Sequence, residues 1–320
     1  MILPSLAEIE AACHVVYQVM SDTPQYNWPL LSERAGCDLW LKHENHARLG
    51  AFKTRGALVY FQRLYDAGGS TGVAVAATRG NFGQAVALAA RQYRMEPVIY
   101  VPRGNSPAKN RAMAALGARL VEHGDNFEEA RLEALRWAAA EGHHIVPSFH
   151  PWLATGTATY SHELFHAVPD LDVAYVPIGM GSGIVGMCAA RAALGLKTEI
   201  VGVVSAHARG NYDSFVQRKV VASPATTQLA DGMAVPAPSA EAMQVIWEHV
   251  SRMVLVDDAE IAGAMRVIFD DTHNVAEGAG AAAVAAVLKD RHLLQGKRVA
   301  AVVSGGNVDR DTFCSVLAAR

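Results

Sequence analysis

The feature that most constrains this chain is a regular alternation of short apolar segments with longer amphipathic ones. The apolar segments are rich in Val, Ile and Ala, as strands covered on both faces require. The segments between them have helical spacing, and in SPAKNRAMAALG a cap residue, Ser106, precedes Pro107. Strands that alternate with helices predict an α/β fold with parallel sheets and right-handed crossovers. Eight strands are predicted, in DLWLKHE, TGVAVAAT, EPVIYVP, ARLVEHG, HHIVPSF, DVAYVPIG, TEIVGVVS and KRVAAVVSGG.

Size, charge and cysteine spacing narrow the classes of function. The 320 residues are 51% hydrophobic, which is enough to bury a large core in one or two domains. A formal net charge of −3 without any Lys/Arg run predicts binding neither to nucleic acid nor to a membrane surface. The four cysteines are far apart and form no C-x-x-C pair, so the sequence indicates neither a disulfide framework nor a zinc site.

The location is expected to be cytoplasmic. Unpaired thiols fit a reducing compartment. The first residues, MILPSLAEIEAA, lack the basic and apolar regions of a signal peptide. No apolar run reaches the length of about 18 residues that a membrane span needs. The Ala-rich segment GAGAAAVAAVL is shorter and predicts a buried helix.

Ligands of parallel α/β sheets bind beyond the carboxyl ends of the strands. In the first half of the chain, two segments that follow predicted strands carry residues able to bind a ligand. Lys53 stands at the predicted start of a helix in HARLGAFKTRGALVYF, where the helix dipole lowers the pKa of its amine. An amine of this kind can form a Schiff base, although an ordinary solvated lysine is the alternative. In TRGNFGQAVALAA, glycines flank a helix that begins near Asn81 and presents free N–H groups, or the segment is a simple turn.

Two further strand ends lie in the second half of the chain. The segment GMGSGIVGMCAA is a glycine-rich turn into a helix, which suits a phosphate group. Its G-x-G-x-x-G pattern lacks the acidic residue that a dinucleotide site needs at the end of the next strand, so a nicotinamide cofactor is disfavoured. In SGGNVD, the Ser304 hydroxyl either points to a ligand or caps the local backbone.

Taken together, these four segments and their order resemble the fold-type-II pyridoxal-phosphate enzymes, in particular the serine/threonine dehydratase and serine racemase branch. The segment QLADGMAV is also similar to a turn of that branch. The agreement extends from about Trp40 to Asn307. The resemblance implies the tryptophan synthase β-like fold, with two three-layer α/β domains and the cofactor, pyridoxal 5'-phosphate, in the cleft between them.

The resemblance also implies a role for each site residue. Lys53 would form the Schiff base with the cofactor and act as the base at the substrate Cα, and Phe52 would pack beside the ring. Asn81 would bond the 3-oxygen of the ring, and Ser304 would meet the pyridine nitrogen. The phosphate would bind to Gly179, Met180, Gly181, Ser182 and Gly183. The turn formed by Thr78, Arg79, Gly80 and Asn81 would hold the substrate carboxylate.

These roles imply an α,β-elimination. The cofactor serves as the electron sink, and the protein orients and tunes it. A neutral hydroxyl at the pyridine nitrogen leaves that nitrogen unprotonated, which suits elimination better than transamination. A 3-hydroxy amino acid such as threonine or serine would become a 2-keto acid and ammonia. The side chain and the stereochemistry of the substrate stay open, because 3-hydroxyaspartate and 3-phenylserine fit the same chemistry.

Several positions depart from the family pattern. Arg79 stands where relatives able to racemise carry a serine, and a protonated arginine is a poor base, so elimination is favoured over racemisation. Arg79 could pair with an anion of the substrate or form a surface salt bridge. Phe82 replaces a histidine and suggests a more apolar pocket. The segment SAHARGNY, where some relatives carry a cation-binding acidic cluster, has no carboxylate, so no metal is predicted.

Other interpretations remain to be tested. HELFH matches the zinc-protease motif, with His162 and His166 on one helical face and Glu163 as a possible base. The alternative is a packing helix that carries two histidines by chance. A nicotinamide-dependent oxidoreductase, an inactive binding protein and a β-replacement enzyme are further possibilities that fit the residues less well.

The domain organisation is predicted as an insertion. Residues 44–147 would form the small domain, and residues 1–43 with 148–320 would form the large one. Closure of the small domain over the substrate carboxylate would exclude water. No segment beyond the catalytic core suggests a regulatory domain, which favours a catabolic role. A homo-oligomer, most simply a dimer, that binds a small-molecule amino acid is expected.

Overall fold

The computed structural model describes residues 1–69 and 71–319, and within them the chain forms two largely parallel sheets with helices on their faces. The strands are β1 Gln25–Asn27, β2 Asp38–His43, β3 Val73–Ala77, β4 Glu96–Val101, β5 Arg119–Glu122, β6 His144–Ile145, β7 Val173–Pro177, β8 Glu199–Ser205, β9 Arg252–Val256 and β10 Arg298–Val303. The six-stranded sheet has the order β1-β2-β10-β7-β8-β9, and the four-stranded sheet has the order β5-β4-β3-β6. β1 is antiparallel to β2, and every other pairing is parallel.

Together with three short 3-10 helices, thirteen α-helices accompany these strands in the described part of the chain. They are α1 Leu6–Tyr17, α2 Pro29–Ala35, α3 Lys53–Asp66, α4 Asn81–Gln92, α5 Pro107–Ala115, α6 Phe127–Glu141, α7 Pro151–Ala167, α8 Ser182–Ala193, α9 Gly210–Gln217, α10 Ala240–His249, α11 Asp258–Thr272, α12 Gly278–Lys289 and α13 Arg310–Ala318.

Helix starts follow local capping chemistry. The Ser106 side chain accepts a hydrogen bond from the backbone N–H of Lys109, and Pro107 occupies the first turn of α5, as predicted. Ser5 and Asp257 form capping boxes at the starts of α1 and α11. These side chains satisfy N–H groups that have no partner within the helix, which explains where the chain turns into each helix.

Both faces of the six-stranded sheet are covered. α12 and α11 pack on one face with residues such as Leu39 and Val303, and α7, α8 and α10 pack on the other with residues such as Ile200 and Val302. This double coverage explains why the strands are nearly continuous apolar runs. The Ala-rich segment forms α12, which is buried along almost its whole length. Its small side chains let it lie close to the sheet.

The α/β fold with parallel sheets is confirmed, and all eight predicted strands are present. Two strands were missed, β1 and β9, and both are edge strands of the larger sheet. The four-stranded sheet uses only residues from Val73 to Ile145, which lie inside the range predicted for the small domain. The domain boundaries themselves stay a prediction.

The cysteines and the helices agree with the sequence analysis. All four cysteines are free, and only Cys314 is exposed. Among the described helices, none combines the length and the apolar character needed to cross a bilayer.

Candidate active site

The lysine segment lies directly against the Ser304 turn. The backbone N–H of Phe52 donates to the Ser304 carbonyl oxygen over 3.1 Å, and the Gly306 N–H donates to the Gly50 carbonyl oxygen over 2.8 Å. Ala51 and Gly305 form an isolated antiparallel bridge between these bonds. Two segments about 250 residues apart in the sequence are therefore held together by their backbones, with α3 beginning at Lys53 as predicted.

The amine of Lys53 lies in surroundings that suit a nucleophile. Its Nζ atom lies 4.6 Å from the centre of the Phe52 ring, and the side chain is partly buried. Burial lowers the pKa of Lys53 to about 8, although the nearby Glu277 carboxylate acts in the opposite direction. More of the amine is therefore neutral near physiological pH than in a solvated lysine, and the neutral form is the one that attacks a carbonyl group.

Asn81 is fixed by two side-chain hydrogen bonds at the start of α4. Its Nδ2 donates to Glu277 Oε1 over 2.7 Å, and its Oδ1 accepts from Asn307 Nδ2 over 2.8 Å. Asn307 also donates to the Leu49 carbonyl oxygen over 2.7 Å. Because Nδ2 carries two hydrogens, one remains available for a ligand after the bond to Glu277 is made.

The glycine loop between β7 and α8 is closely surrounded by other segments. A Cβ atom on Gly179 would lie 2.3 Å from the Gly232 carbonyl oxygen, and one on Gly183 would lie 3.4 Å from the Phe52 ring. Gly181 has φ +102°, a conformation that glycine adopts without strain. The loop leads into the N-terminus of α8, so its N–H groups and the helix dipole suit a phosphate.

The two non-glycine residues of the loop leave its backbone amides unobstructed for such a role. Met180 is partly buried and packs against the core between the sheet and α8. Ser182 is buried, and its carbonyl oxygen accepts from the Thr157 hydroxyl over 2.7 Å. The departure from an all-glycine loop is therefore accommodated by packing and by hydrogen bonding of the loop backbone to α7.

The turn from Thr78 to Asn81 is closed on itself and covered by a lysine. The Gly80 N–H donates to Thr78 Oγ1 over 3.2 Å, and Thr78 is buried. A Cβ atom on Gly80 would lie 2.6 Å from Cδ of Lys109, whose amine forms an ion pair with Asp231. Arg79 is exposed. The turn therefore places one arginine at the surface and one lysine stem directly over its backbone.

Ser304 and Phe82 each have defined surroundings in the structure. Ser304 is buried, and its hydroxyl donates to the Ala279 carbonyl oxygen over 3.3 Å, in a different segment of the chain. The serine does not cap its own turn, as the alternative interpretation required. Phe82 packs against the core of the four-stranded sheet, so its ring belongs to the hydrophobic packing there.

The structure brings all four predicted segments together, and it adds residues that the sequence analysis missed. Glu277 and Lys109 were not recognised, and Asn307 and Asp231 were noted only as parts of the SGGNVD and QLADGMAV turns. The Asp231 turn meets the glycine loop only in the folded chain, where Gly232 lies against Gly179, and no local sequence pattern marks Glu277.

The HELFH segment lies in α7 and is part of the packing, as the alternative interpretation held. Glu163 points into a buried ion cluster, with contacts of 2.6 Å to Lys42 and 2.5 Å to Arg55. It is therefore unavailable as a base for a zinc-bound water. The centres of the His162 and His166 rings lie 4.1 Å apart, and the ring planes are tilted by 43°. Within residues 1–69 and 71–319, no three His, Cys, Asp or Glu side chains are grouped in a way that could hold a metal ion.

The residues fit the cofactor that the resemblance implies. Pyridoxal phosphate presents an aldehyde, a phosphate, a phenolic oxygen and a ring nitrogen. The assembled segments offer an amine of lowered pKa at Lys53, a cradle of backbone amides at Gly179–Gly183, a spare amide hydrogen at Asn81 and a hydroxyl at Ser304. Each group of the cofactor thus has a complementary partner among residues that already lie together.

Comparisons with known proteins agree with this fit. A family model described as pyridoxal-phosphate dependent enzyme matches residues 16–305. The chain is 34% identical over 306 residues to the L-threonine ammonia-lyase of Thermotoga maritima, covering 95% of this chain and 76% of that protein.

Solved structures show the same similarity. The processed form of threonine deaminase isoform 2 from Solanum lycopersicum superposes with a TM-score of 0.91 at 29% identity, covering 98% of this chain and 87% of the other. Maize serine racemase superposes with a TM-score of 0.90 at 26% identity, covering 98% and 97%. These matches decide against the nicotinamide and zinc-protease interpretations, and the chain belongs to the family of pyridoxal-phosphate dependent enzymes.

Proposed function

We propose that this enzyme is a dehydratase, or ammonia-lyase, that converts a 3-hydroxy amino acid such as threonine or serine into a 2-keto acid and ammonia. The observation that carries the proposal is that the segment with the Lys53 amine contacts the glycine loop, through Phe52 and Gly183, and also the Ser304 turn. The relatives named threonine ammonia-lyase and threonine deaminase support the same reaction.

Lys53 carries the chemical step. When bound, pyridoxal phosphate supplies an electron sink that stabilises negative charge at the substrate Cα. Lys53 would hold the aldehyde group of the cofactor through its amine, and its free amine would take the proton from the substrate Cα. Its pKa of about 8 suits both tasks, because the amine can lose and regain a proton near neutral pH.

The other residues bind and orient. The backbone amides from Gly179 to Gly183 hold the phosphate, and Phe52 packs beside the ring. Asn81 donates its free Nδ2 hydrogen to the 3-oxygen of the ring. Ser304 would turn its hydroxyl from the Ala279 carbonyl towards the pyridine nitrogen, and a neutral donor there would leave that nitrogen unprotonated.

The substrate carboxylate binds at the turn from Thr78 to Asn81, because free N–H groups at the start of α4 favour an anion. The surroundings of this turn support a closing motion, since Lys109 reaches from α5 to Asp231 across it. In this proposal residues 44–147 act as a small domain that closes over the cleft, and the enzyme works as a homodimer in the cytoplasm.

A specific observation favours a second candidate substrate, an acidic 3-hydroxy amino acid such as 3-hydroxyaspartate. Arg79 is exposed, and none of the ion pairs in the described part of the chain involves it. The guanidinium is therefore free to meet a side-chain carboxylate next to the substrate site. Serine racemisation is disfavoured, because an arginine at this position stays protonated and cannot serve as a second base.

The proposal is tested by incubating the holoenzyme with a panel of 3-hydroxy amino acids of both configurations and measuring ammonia and 2-keto acid together. Equal amounts of the two products from at least one member support the proposal. If no member of the panel releases ammonia, the proposed reaction is wrong.

Arg79→Ala separates the two substrate classes. If Arg79 binds a side-chain carboxylate, the substitution reduces kcat/KM for 3-hydroxyaspartate by about 10-fold or more and changes kcat/KM for threonine far less. Arg79→Lys keeps the charge and serves as the matched control. Equal losses for both substrates in Arg79→Ala discard the role of Arg79 in substrate choice.

A further inference from the structure

Glu277 is a buried carboxyl group that the proposed reaction does not yet use. It lies at the N-cap of α12 and is only 4% exposed. Its Oε1 atom accepts from Asn81, whereas its Oε2 atom has no hydrogen-bond partner among the described residues. A buried carboxyl oxygen without a partner is costly, so its presence beside the cofactor residues calls for a reason.

The backbone fixes this carboxyl group against the Ser304 turn. The Glu277 N–H donates to the Gly305 carbonyl oxygen over 3.0 Å. A Cβ atom on Gly305 would lie 2.5 Å from Glu277 Oε1, so only glycine at position 305 leaves room for the carboxyl group. Glu277 therefore has a defined position between the Ser304 turn and Asn81.

We propose that Glu277 is a positioning residue that sets the orientation of the Asn81 amide, and that it does so only in its ionised form. The proposal rests on the role proposed above for Asn81 at the cofactor's 3-oxygen. It assigns to this enzyme a proton-sensitive group that acts through Asn81.

The argument follows from which atoms can donate. An ionised carboxylate only accepts hydrogen bonds, so Asn81 must turn its Nδ2 towards Glu277. Asn307 donates to Oδ1 from the other side, so both bonds hold the amide in a single orientation. The second Nδ2 hydrogen then has a fixed direction. A protonated Glu277 can itself donate to Oδ1, and the reversed amide would then present an oxygen to the cofactor's 3-oxygen.

Charged groups from several elements face Glu277. Burial and the charge of Asp231 raise the pKa of Glu277 to about 7. Three groups lower it in part: the Lys109 cation, the hydrogen bond from Asn81 and the Lys53 cation. Glu277 is thus ionised above about pH 7 and protonated below it. The orientation of Asn81 is expected to be held above this pH and lost below it.

The test measures cofactor affinity rather than turnover. Pyridoxal phosphate is titrated into the cofactor-free wild-type chain and into Glu277→Gln over a pH range of roughly two units on either side of 7, using the cofactor's absorbance. In the wild type, affinity is expected to fall as pH decreases through about 7, in addition to the titration of Lys53 near pH 8. Glu277→Gln keeps an acceptor for Asn81 and cannot ionise, so only the Lys53 transition should remain. If Glu277→Gln shows the same two transitions as the wild type, the proposal is overturned.

Asp231→Asn provides a second test that does not alter Glu277. Loss of the Asp231 charge, which also releases the Lys109 cation, should move the transition near pH 7 to lower pH. An unmoved transition overturns the proposal even if Glu277→Gln does not fold. Ammonia release is measured in parallel. A shift in the transition without ammonia from any substrate refutes only the proposed function, and ammonia release with an unmoved transition refutes only the role of Glu277.

Discussion

Lys109 on α5 forms an ion pair with Asp231, a residue of the turn that packs on the glycine loop. The Lys109 stem lies over Gly80, and Gly232 lies against Gly179, so this ion pair connects the proposed carboxylate turn with the proposed phosphate loop. The Lys109 side chain is 12% exposed, and burial lowers its pKa less than Asp231 and Glu277 raise it. The Lys109 amine therefore stays protonated throughout the neutral pH range.

Breaking this ion pair should weaken substrate binding. Lys109→Met keeps an apolar stem over Gly80 but removes the charge, and we expect KM for the amino acid to rise by about 10-fold with a smaller change in kcat. Steady-state kinetics of Lys109→Met, Asp231→Asn and the double variant give the coupling between the two residues. The double variant should lose less than the sum of the single losses. Strictly additive losses would show that the pair does not act as a unit.

The glycine loop should not tolerate a methyl group at its first position. Gly179→Ala would place Cβ 2.3 Å from the Gly232 carbonyl oxygen, so the loop or the 231–232 turn must shift. We expect the Kd for pyridoxal phosphate to increase by about 10-fold or more, corresponding to about 1.4 kcal/mol. Gly263→Ala in α11 is the matched control, because its nearest neighbouring atom would lie 3.9 Å away. Equal affinities for Gly179→Ala and Gly263→Ala would contradict the packing argument.

The buried ion cluster around Glu163 should contribute to stability and not to metal binding. Glu163→Gln leaves Lys42 and Arg55 without their shared carboxylate, and we expect the free energy of unfolding to fall by about 3–5 kcal/mol in urea. Glu133→Gln breaks a solvent-screened pair with Arg136 and should change the free energy of unfolding far less. Similar losses in the two variants would show that the buried cluster is not a structural requirement.

The same cluster predicts an acid dependence of stability. Burial alone would raise the pKa of Glu163, but the charges of Arg55 and Lys42 outweigh it and hold the pKa below its usual value. Because the pKa of Glu163 is lowered in the folded state, the ionised carboxylate makes its full contribution to stability above the pKa of the unfolded chain. This contribution is lost as the pH falls through the pKa of the folded state. As the pH decreases, the free energy of unfolding measured in urea should therefore fall more for the wild type than for Glu163→Gln. Parallel curves would contradict this assignment.

Much of the fold follows from local sequence patterns. The buried strands of both sheets are continuous apolar runs, and Ser106 with Pro107 marks the start of α5, so these elements could be predicted. β1 has only three residues and no apolar pattern, whereas β9 contains the apolar run MVLV, a local signal that the sequence analysis overlooked. β1 is a strand because it pairs with β2, and β9 pairs with β8, which lies far from it in the sequence.

The residues of the candidate site also fall into those that a local sequence pattern indicates and those that it does not. Lys53, Asn81, the glycine loop and Ser304 each stand at the end of a strand, where the periodic pattern stops, so the sequence indicates them. Glu277 contacts Asn81 across 196 positions, and its carboxyl group is significant only because Gly305 lets it approach. A relationship of this kind arises from the packing of three separate segments, and no local pattern reports it.

The central claim is that the Lys53 amine binds the cofactor. The most direct measurement is borohydride reduction of the holoenzyme, followed by proteolysis and mass spectrometry of the labelled peptide. The account predicts that the reduced cofactor is attached to Lys53 and that Lys53→Ala carries no label and releases no ammonia. A label at any other lysine, or ammonia release by Lys53→Ala, would contradict the account.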